Sequence, residues 1–238
     1  MSNDSIQATH RTTARVLQIL EAVAGSEQGI SMADISRQLG IPKGSLSPIL
    51  HTMVLMGYVK QLEGTKRYVI GLHTFLLGRA FGGYSDTMQL LTEIVQQVTD
   101  ACGETSQIGR LDHGRVLYVA KADSPQPVRL SSSIGKTLPV HCTAIGKALI
   151  SEMDERDVRE MMPKTLERVT EHTLDNVDEL LTQLSEVRSH GIAYDHEEVM
   201  IGVQCIAVPV RQNGIIAYGI GVSVPSYRLS KEKQGEVI

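Results

Sequence analysis

The sequence predicts an α+β protein in two parts, a small helical domain that ends in a β-hairpin and a larger domain of mixed strands and helices. Three observations predict this fold class. Before Gly57, apolar residues recur at helical spacing in three successive segments. The pattern then changes to short β-prone runs around a glycine-containing turn. Beyond Gly103, further β-prone runs bracket helical stretches, an order that favours a sheet with helices on its faces.

Length and composition bound the class of protein. The 238 residues suggest one or two domains, and 42 % apolar residues suffice for hydrophobic cores. No apolar run approaches the ~18 residues of a membrane-spanning helix, and Met1 to His10 lack the apolar centre of a signal peptide. The three cysteines are far apart and odd in number, which argues against a disulfide framework. We therefore expect a cytoplasmic protein with reduced thiols and no membrane association.

The charge is unevenly spread along the chain. The formal net charge is −4, but residues 1–73 carry seven Lys/Arg against five Asp/Glu, a net of +2. Residues 74–238 carry sixteen against twenty-two, a net of −6. Because salt screens exposed charges beyond about 10 Å, the local sign matters more than the total for an anionic partner.

The first three segments have the outline of a helix-turn-helix. Thr12 to Gly25 has helical spacing and a helix-ending glycine. Ser31 opens the second segment and, with Asp34, resembles a capping box, and the third segment runs from Pro42 to Gly57. Two short helices joined by a tight glycine turn after a longer helix are typical of this motif.

A hairpin and a linker follow the third helix. Tyr58 to Lys60 and Arg67 to Ile70 are β-prone and flank a turn that contains Gly64. A hairpin in this place is the wing of a winged helix-turn-helix, which we assign to residues 1–73. His73 to Gly83 is again helix-like, so residues 74–85 are expected to form a linker helix.

Basic and small polar residues cluster where a helix-turn-helix meets DNA. The second helix of this motif lies in the major groove, and its N-terminal residues reach base edges. Lysine and serine can bond to phosphates or bases, and a helix start attracts phosphate. The alternative is a protein-interaction module whose Lys and Ser side chains are only solvated. The candidate DNA-binding residues are Arg11, Arg15, Lys43, Gly44, Ser45, Ser47, Lys66 and Arg67.

Pro48 conflicts with a helix that begins at Pro42. It removes the backbone hydrogen bond to Gly44 and costs on the order of 3 kcal/mol in a helix interior. Either Ser45 is the true N-cap, which makes the missing N–H harmless, or the first turn is kinked and Gly44 relieves the clash.

Residues 86–238 alternate between strand and helix signals. Asn213-Gly214 is a strong hairpin signal between the last two strands. The expected strands are 104–110, 116–121, 128–132, 203–211 and 215–224, and the expected helices are 86–102, 143–153, 154–162 and 175–191.

Several long motifs together resemble one family. They are RVLQILEAV, ISMADISRQLGIPKGSL, IGKTLPVHCTAIGKALI from Ile134 to Ile150, and IGVQCIAVPV. The chain resembles the IclR-type bacterial transcriptional regulators over nearly its whole length. The resemblance implies a winged helix, a linker helix and a C-terminal GAF-like effector-binding domain. It also implies double-stranded operator DNA as a partner, a homodimer or dimer of dimers, and a small organic, sugar or aromatic acid as effector. Pro48 departs from the arginine that many members carry in the recognition helix.

The resemblance also implies an effector pocket. Residue by residue, it points to Thr143, Ala144, Ile145, Asp195, Val203, Cys205, Gly221 and Ser223. The residues themselves support this in part, because Thr143 is a good N-cap and the helix start after it suits a carboxylate. Other interpretations remain. Cys205 is equally a core residue, Asp195 can cap a turn, His141 is favoured as a structural histidine, and Lys147 can pair with a carboxylate.

Enzymes and metal sensors are the competing classes. The sequence has no G-x-S-x-G elbow, P-loop or H-E-x-x-H motif, and adjacent His141 and Cys142 make a poor nucleophile–base pair. Those two residues and Cys205 could hold a metal, but their spacing is not diagnostic. We therefore expect no enzyme activity, no cofactor and no metal, and a ligand-responsive repressor of a catabolic operon.

Overall fold

The structure is a computed structural model that describes residues 10–26, 28–80, 85–130 and 133–238. The chain divides into two compact units, residues 1–85 and 86–238. Within the described ranges, no helix combines the length and apolar character needed to cross a membrane.

Three helices pack around one apolar core in the N-terminal unit. They are α1 (Arg11–Ala24), α2 (Met32–Leu39) and α3 (Lys43–Leu55). Ser31 caps α2 by accepting a hydrogen bond from the Asp34 backbone N–H at 3.2 Å, so the expected capping interaction forms. Gly40 ends α2 with φ of 62°, a conformation that glycine adopts without strain and that turns the chain toward α3. Ile19, Ile35, Leu46 and Leu50 are essentially fully buried between these helices.

A small antiparallel sheet completes this unit. Its strands are β1 (Ile30–Ser31), β2 (Val59–Gln61) and β3 (Arg67–Ile70), in the order β1-β3-β2. The winged helix-turn-helix is thus confirmed, with one strand more than expected, because β1 is too short to show a pattern in the sequence. Helix α4 (Leu72–Ala80) follows the wing, and residues 81–84 of the expected linker lie outside the described ranges.

The third helix corrects one interpretation of Pro48. Pro42 precedes the helix as its N-cap, and Pro48 lies inside it. Ser45 is already helical, since its N–H donates to the Pro42 carbonyl at 2.9 Å. The expectation that Ser45 caps the helix is therefore wrong, and the helix contains the proline in its second turn.

The C-terminal unit is a six-stranded antiparallel sheet with helices on both faces. This arrangement confirms the α+β class and agrees with a GAF-like domain. The elements in chain order are α5 (Ser85–Cys102), β4 (Thr105–Asp112), β5 (Arg115–Ala122), β6 (Thr137–Pro139), α6 (Ala144–Ile150), α7 (Glu155–Met161), α8 (Val177–His190), β7 (Ala193–His196), β8 (Val203–Gln212), β9 (Ile215–Pro225) and α9 (Lys231–Val237). The order of strands in the sheet is β6-β5-β4-β9-β8-β7.

Strand alternation divides the core of this unit between the two faces of the sheet. On β5, Val116 and Tyr118 belong to the cluster that contains α6 and α8. Leu117 and Val119 belong to the cluster that contains α5. Because successive strand residues point to opposite faces, the sheet is covered on both sides.

One sequence expectation fails in this unit, and two of its strands were not expected. The strand expected at 128–132 is wrong for residues 128–130, which run outside the sheet, while Ser131 and Ser132 lie outside the described ranges. The short strand β6 at Thr137–Pro139 pairs with β5 instead. The sequence patterns also missed β7, which forms the far edge of the sheet beside β8.

Candidate functional site

Helix α6 begins against the middle of the six-stranded sheet, and all seven of its residues are buried. Thr143 is its N-cap, and its side chain accepts a hydrogen bond from the Gly146 N–H at 3.0 Å. A short 3₁₀ turn, Val140–Cys142, leads into it. The N-cap predicted from the sequence is therefore present, at the start of a helix that is unusually deeply buried.

Glycines let this helix lie close to the sheet. A Cβ added at Gly221 would lie 2.9 Å from Cγ1 of Ile145, and one at Gly219 would lie 3.0 Å from Cγ2 of the same residue. On the helix itself, a Cβ at Gly146 would lie 2.2 Å from the Val140 carbonyl oxygen. The helix start and the sheet thus meet without intervening side chains at these positions.

A cavity of about 40 Å³ opens at this junction. Asp195, Cys205 and Ser223 face one another across the adjacent strands β7, β8 and β9. All eight residues expected in the effector pocket line the cavity: Thr143, Ala144, Ile145, Asp195, Val203, Cys205, Gly221 and Ser223.

Six further lining residues were not expected from the sequence. Gln107 is the strand neighbour of Gly221 on β4, so strand pairing could have found it. The other residues enter from β5, from the short strand β6 and from loops that have no periodic pattern. The six are Gln107, Tyr118, Leu130, Leu138, Val199 and Met200.

Asp195 both lines the cavity and caps a turn. Its side chain is 2 % exposed, and Oδ1 accepts a hydrogen bond from the Glu198 N–H at 2.7 Å. Burial raises the pKa of this carboxyl to about 6. The turn-capping interpretation is thus correct and does not compete with a place in the cavity.

Lys147 lies one turn along α6 and is the largest fully buried side chain in the described ranges. Its Nζ donates to Oε1 of Glu198 at 2.5 Å and to the Tyr194 carbonyl at 3.0 Å. The expected pairing with a carboxylate is present. The second carboxylate oxygen of Glu198 is buried and has no hydrogen-bond partner among the described residues.

The three residues weighed as metal ligands each have other contacts. The His141 Nε2 donates to the Glu167 carbonyl at 3.0 Å, and burial lowers the pKa of this histidine. The Cys142 thiol donates to the Pro139 carbonyl, and the Cys205 sulfur lies 3.2 Å from Oγ of Ser223. Burial raises the pKa of Cys142 to about 12 and raises that of Cys205. Over the described ranges, no three His, Cys, Asp or Glu side chains are grouped as a metal site.

The candidate DNA-binding residues of α3 form one exposed stretch at its N-terminus. Lys43, Gly44, Ser45 and Ser47 are exposed, and Leu46 between them is buried in the core. Beyond its own helix turn, a Cβ at Gly44 would meet no atom of the described residues within 4 Å. The helix therefore presents a small, basic and polar surface that leaves space for a close partner.

The other four candidates lie on the wing and on α1. Lys66 is exposed, in the turn before β3. Arg67 donates through Nη1 to the Gly29 carbonyl at 2.6 Å, so its guanidinium is partly engaged within the fold. Arg11 is exposed at the start of α1, and Arg15 is half-buried one turn later.

Comparison with known proteins agrees with this architecture. Residues 12–63 match the IclR helix-turn-helix domain, and residues 84–238 match the bacterial transcriptional regulator IclR C-terminal domain. The HTH-type transcriptional regulator KdgR of Dickeya chrysanthemi is 33% identical over 226 residues, which cover 94% of this chain and 74% of that protein. The acetate operon repressor of Salmonella typhimurium is 26% identical over 231 residues, which cover 95% of this chain and 84% of that protein.

A solved structure shows the same fold. An IclR homolog from Microbacterium hydrocarbonoxydans, crystallised in complex with 4-hydroxybenzoate, superposes with a TM-score of 0.82 at 20% identity. The superposition covers 94% of this chain and 93% of that one. With both family domains matched along the chain, the protein belongs to the IclR family of bacterial transcriptional regulators.

Proposed function

We propose that the protein represses a catabolic operon and that a small carboxylate effector switches its affinity for double-stranded operator DNA. The observation that carries the proposal is the pairing of two features on one chain. The N-terminal unit exposes the polar start of α3, and the C-terminal unit encloses the cavity at the start of α6. The related acetate operon repressor supports repression as the outcome.

The DNA contacts follow from exposure and chemistry. In a helix-turn-helix, the start of the second helix meets base edges in the major groove. Lys43 would contact a phosphate or a guanine, and Ser45 and Ser47 would bond to either kind of group. Lys66 and Arg67 on the wing, and Arg11 and Arg15 on α1, would contact the backbone, Arg67 with the nitrogens that do not bond to Gly29.

The effector class follows from the size and lining of the cavity. About 10–15 Å³ accommodates one water molecule, so 40 Å³ suits a compact ligand of a few heavy atoms. Among organic, sugar and aromatic acids, this volume favours a short organic acid. Gln107, Thr143 and Ser223 supply polar groups that could orient such a ligand within an otherwise largely apolar space.

The exposed apolar side chains of α4 support a homodimer. Leu72, Phe75 and Leu76 lie at helical spacing and are 69%, 60% and 49% exposed. Three large apolar side chains on one helix stripe are more exposed than a monomer usually allows, and a second copy of the helix would cover them. A dimer of winged helices also suits an operator with two half-sites.

The DNA-binding part is tested with the full-length protein. Duplexes are selected from a random library, and the dissociation constant of the best one is measured at several salt concentrations. We expect the logarithm of the association constant to fall linearly with the logarithm of the salt concentration, a loss of about 10³–10⁵-fold in affinity between 50 and 200 mM for 6–10 phosphate contacts. If Lys43 contacts a phosphate, Lys43→Ala should reduce the salt slope by about 1. If it contacts a base, the substitution should cost about 1–3 kcal/mol of binding free energy and relax the base preference at one position.

The matched control is Lys164→Ala, which removes an exposed lysine from the C-terminal unit and should leave both values unchanged. Selection of no duplex, or binding that does not depend on salt, would contradict the proposal and favour the protein-interaction module.

The effector part is tested by thermal unfolding with a set of small carboxylic acids. A ligand of the folded state raises the unfolding temperature in proportion to ln(1 + [L]/Kd). The acid that does so should change operator affinity by about 5–150-fold, the usual range of coupling between two sites. An acid that is consumed rather than bound would instead indicate an enzyme.

A further inference from the structure

The cavity at the start of α6 has an unusual charge distribution. Among the described residues that line it, Asp195 is the one with a carboxylate or a basic side chain. An anionic ligand would therefore meet a buried carboxylate and no lining cation. The proposed carboxylate effector and the site are mismatched in charge unless one of them is neutral.

The groups around Asp195 do not supply the missing positive charge. Burial raises the pKa values of the Tyr118 phenol and of both thiols, so these groups are neutral at pH 7. The Lys147 ammonium is held by the Glu198 carboxylate at 2.5 Å. The titratable and charged groups that face Asp195 are Tyr118 of β5, Cys142 of the 3₁₀ turn, Lys147 of α6, Glu198 of the loop after β7, and Cys205 of β8.

The buried cluster of Lys147, Asp195 and Glu198 therefore has a net charge of −1 when all three are ionised. One proton on Asp195 makes it neutral. Because Oδ1 of Asp195 already accepts a hydrogen bond from the Glu198 N–H, the added proton would bind to Oδ2. Oδ2 would then carry an O–H group that can donate a hydrogen bond. Glu198, in contrast, lies against the Lys147 ammonium at 2.5 Å.

We propose that the cavity takes up its carboxylate ligand together with one proton from solvent, which Asp195 holds and donates as a hydrogen bond to the ligand. This inference rests on the effector function proposed above and specifies its chemistry. Two like charges about 4 Å apart at an effective dielectric constant of about 20 would weaken binding on the order of a thousandfold. With a pKa of about 6 for the Asp195 carboxyl, only about a tenth of the molecules are protonated at pH 7, so the requirement for a proton weakens binding about tenfold. Proton uptake is therefore the favoured route.

The test is isothermal titration calorimetry on the full-length protein with propionate and pyruvate, and with neutral propionamide as the shape-matched probe. Titrations at pH 7 in phosphate and in Tris, whose ionisation enthalpies differ, report the protons taken up. We expect about 0.9 proton per bound carboxylate at pH 7 and an affinity that falls about tenfold from pH 7 to 8. Propionamide should bind without net proton uptake.

Asp195→Asn tests the role of this residue, because an amide supplies a hydrogen-bond donor without titrating. The Asp195→Asn variant should take up almost no proton on binding. At pH 8 it should bind propionate or pyruvate more tightly than the wild type, by up to about a hundredfold. Glu186→Gln removes an exposed carboxylate from α8 and should retain wild-type proton uptake. The wild-type proton count tests the inference even if Asp195→Asn does not fold.

Carboxylate binding with no proton uptake would overturn the inference and leave the effector cavity in place. Failure of both carboxylates to bind between pH 5.5 and 8 would overturn the inference as well. Neither result bears on salt-dependent DNA binding, so failure of the proposed regulator would be seen separately in the duplex measurements.

Discussion

At the scale of single residues, Ile145 joins the cavity to the packing of the sheet. Its side chain lines the cavity and rests against the bare backbone of Gly219 and Gly221. A methyl group on either glycine would therefore compete for the space that Ile145 occupies. Gly221 was expected in the site because of family resemblance, and the structure supplies a physical reason for the absence of a side chain there.

Gly221→Ala should reduce both stability and ligand binding. Its Cβ would lie 2.9 Å from Ile145 and 3.2 Å from Ala207, and overpacking of this kind costs about 1–3 kcal/mol. The displaced Ile145 would also narrow the cavity. Urea unfolding measures the first effect, and the thermal shift produced by propionate or pyruvate measures the second.

Gly235→Ala is the matched control for this change. Gly235 lies in α9, where an added Cβ would meet no atom of the described residues within 4 Å beyond its own helix turn, so alanine there should stabilise the helix by about 0.5–1 kcal/mol. Wild-type stability and ligand binding in Gly221→Ala would show that Ile145 adjusts without loss.

At the scale of elements, α3 is a helix that tolerates a proline. Leu46, Leu50 and Met53 bury its inner face, and tertiary packing of such a face contributes more to helix stability than local propensity does. Pro48 lies on the exposed side, and its carbonyl accepts a hydrogen bond from the Thr52 hydroxyl at 2.9 Å. The chain therefore keeps the helix and loses one backbone hydrogen bond on the surface that would face DNA.

Pro48→Ala should raise the stability of the N-terminal unit by about 1–3 kcal/mol, because alanine restores the N–H donor to the Gly44 carbonyl and removes the ring clash. Differential scanning calorimetry would detect this as a higher unfolding temperature for that unit, by about 4–8 °C per kcal/mol for a unit of this size. Pro163→Ala, at an exposed position just after α7, is the control and should not raise it. An unchanged or lower temperature in Pro48→Ala would mean that the proline is accommodated without strain.

At the scale of the whole molecule, a switch needs two sites and an assembly that both of them affect. The exposed apolar stripe of α4 follows directly after the wing, since Ile70 ends β3 and Leu72 begins the helix. A dimer formed through this stripe would determine how two recognition helices are spaced on an operator. Ligand binding could then act through that spacing, with a coupling of about 1–3 kcal/mol.

Phe75→Glu should dissociate the dimer, because it places a charge in the centre of the apolar stripe. Light scattering after size-exclusion chromatography should show monomer mass at concentrations where the wild type is dimeric, and affinity for the selected duplex should fall. Ile215→Glu, at a 73% exposed position of the C-terminal unit, should retain the wild-type mass. A dimeric Phe75→Glu would exclude α4 as the interface.

Local patterns were sufficient to predict much of the fold. The helical spacing before Gly57, the Ser31 cap and the wing all appear in the structure because each is determined by neighbours a few residues apart. The Asn213-Gly214 hairpin formed for the same reason, with both residues at positive φ. Elements without such a signal were missed or misplaced, including the two-residue β1, the edge strand β7 and the strand expected at 128–132.

The sequence by itself determined the class of protein, the two domains with their opposite net charges, and a set of residues that later proved to share one cavity. Only the tertiary structure decided that Val199, Met200 and Tyr118 line that cavity and that Lys147 pairs with Glu198. These contacts join residues that are far apart in the chain, so no local periodicity of the sequence indicates them. The charge environment of Asp195 depends on them entirely, because burial and the distance between charged groups are properties of the folded chain.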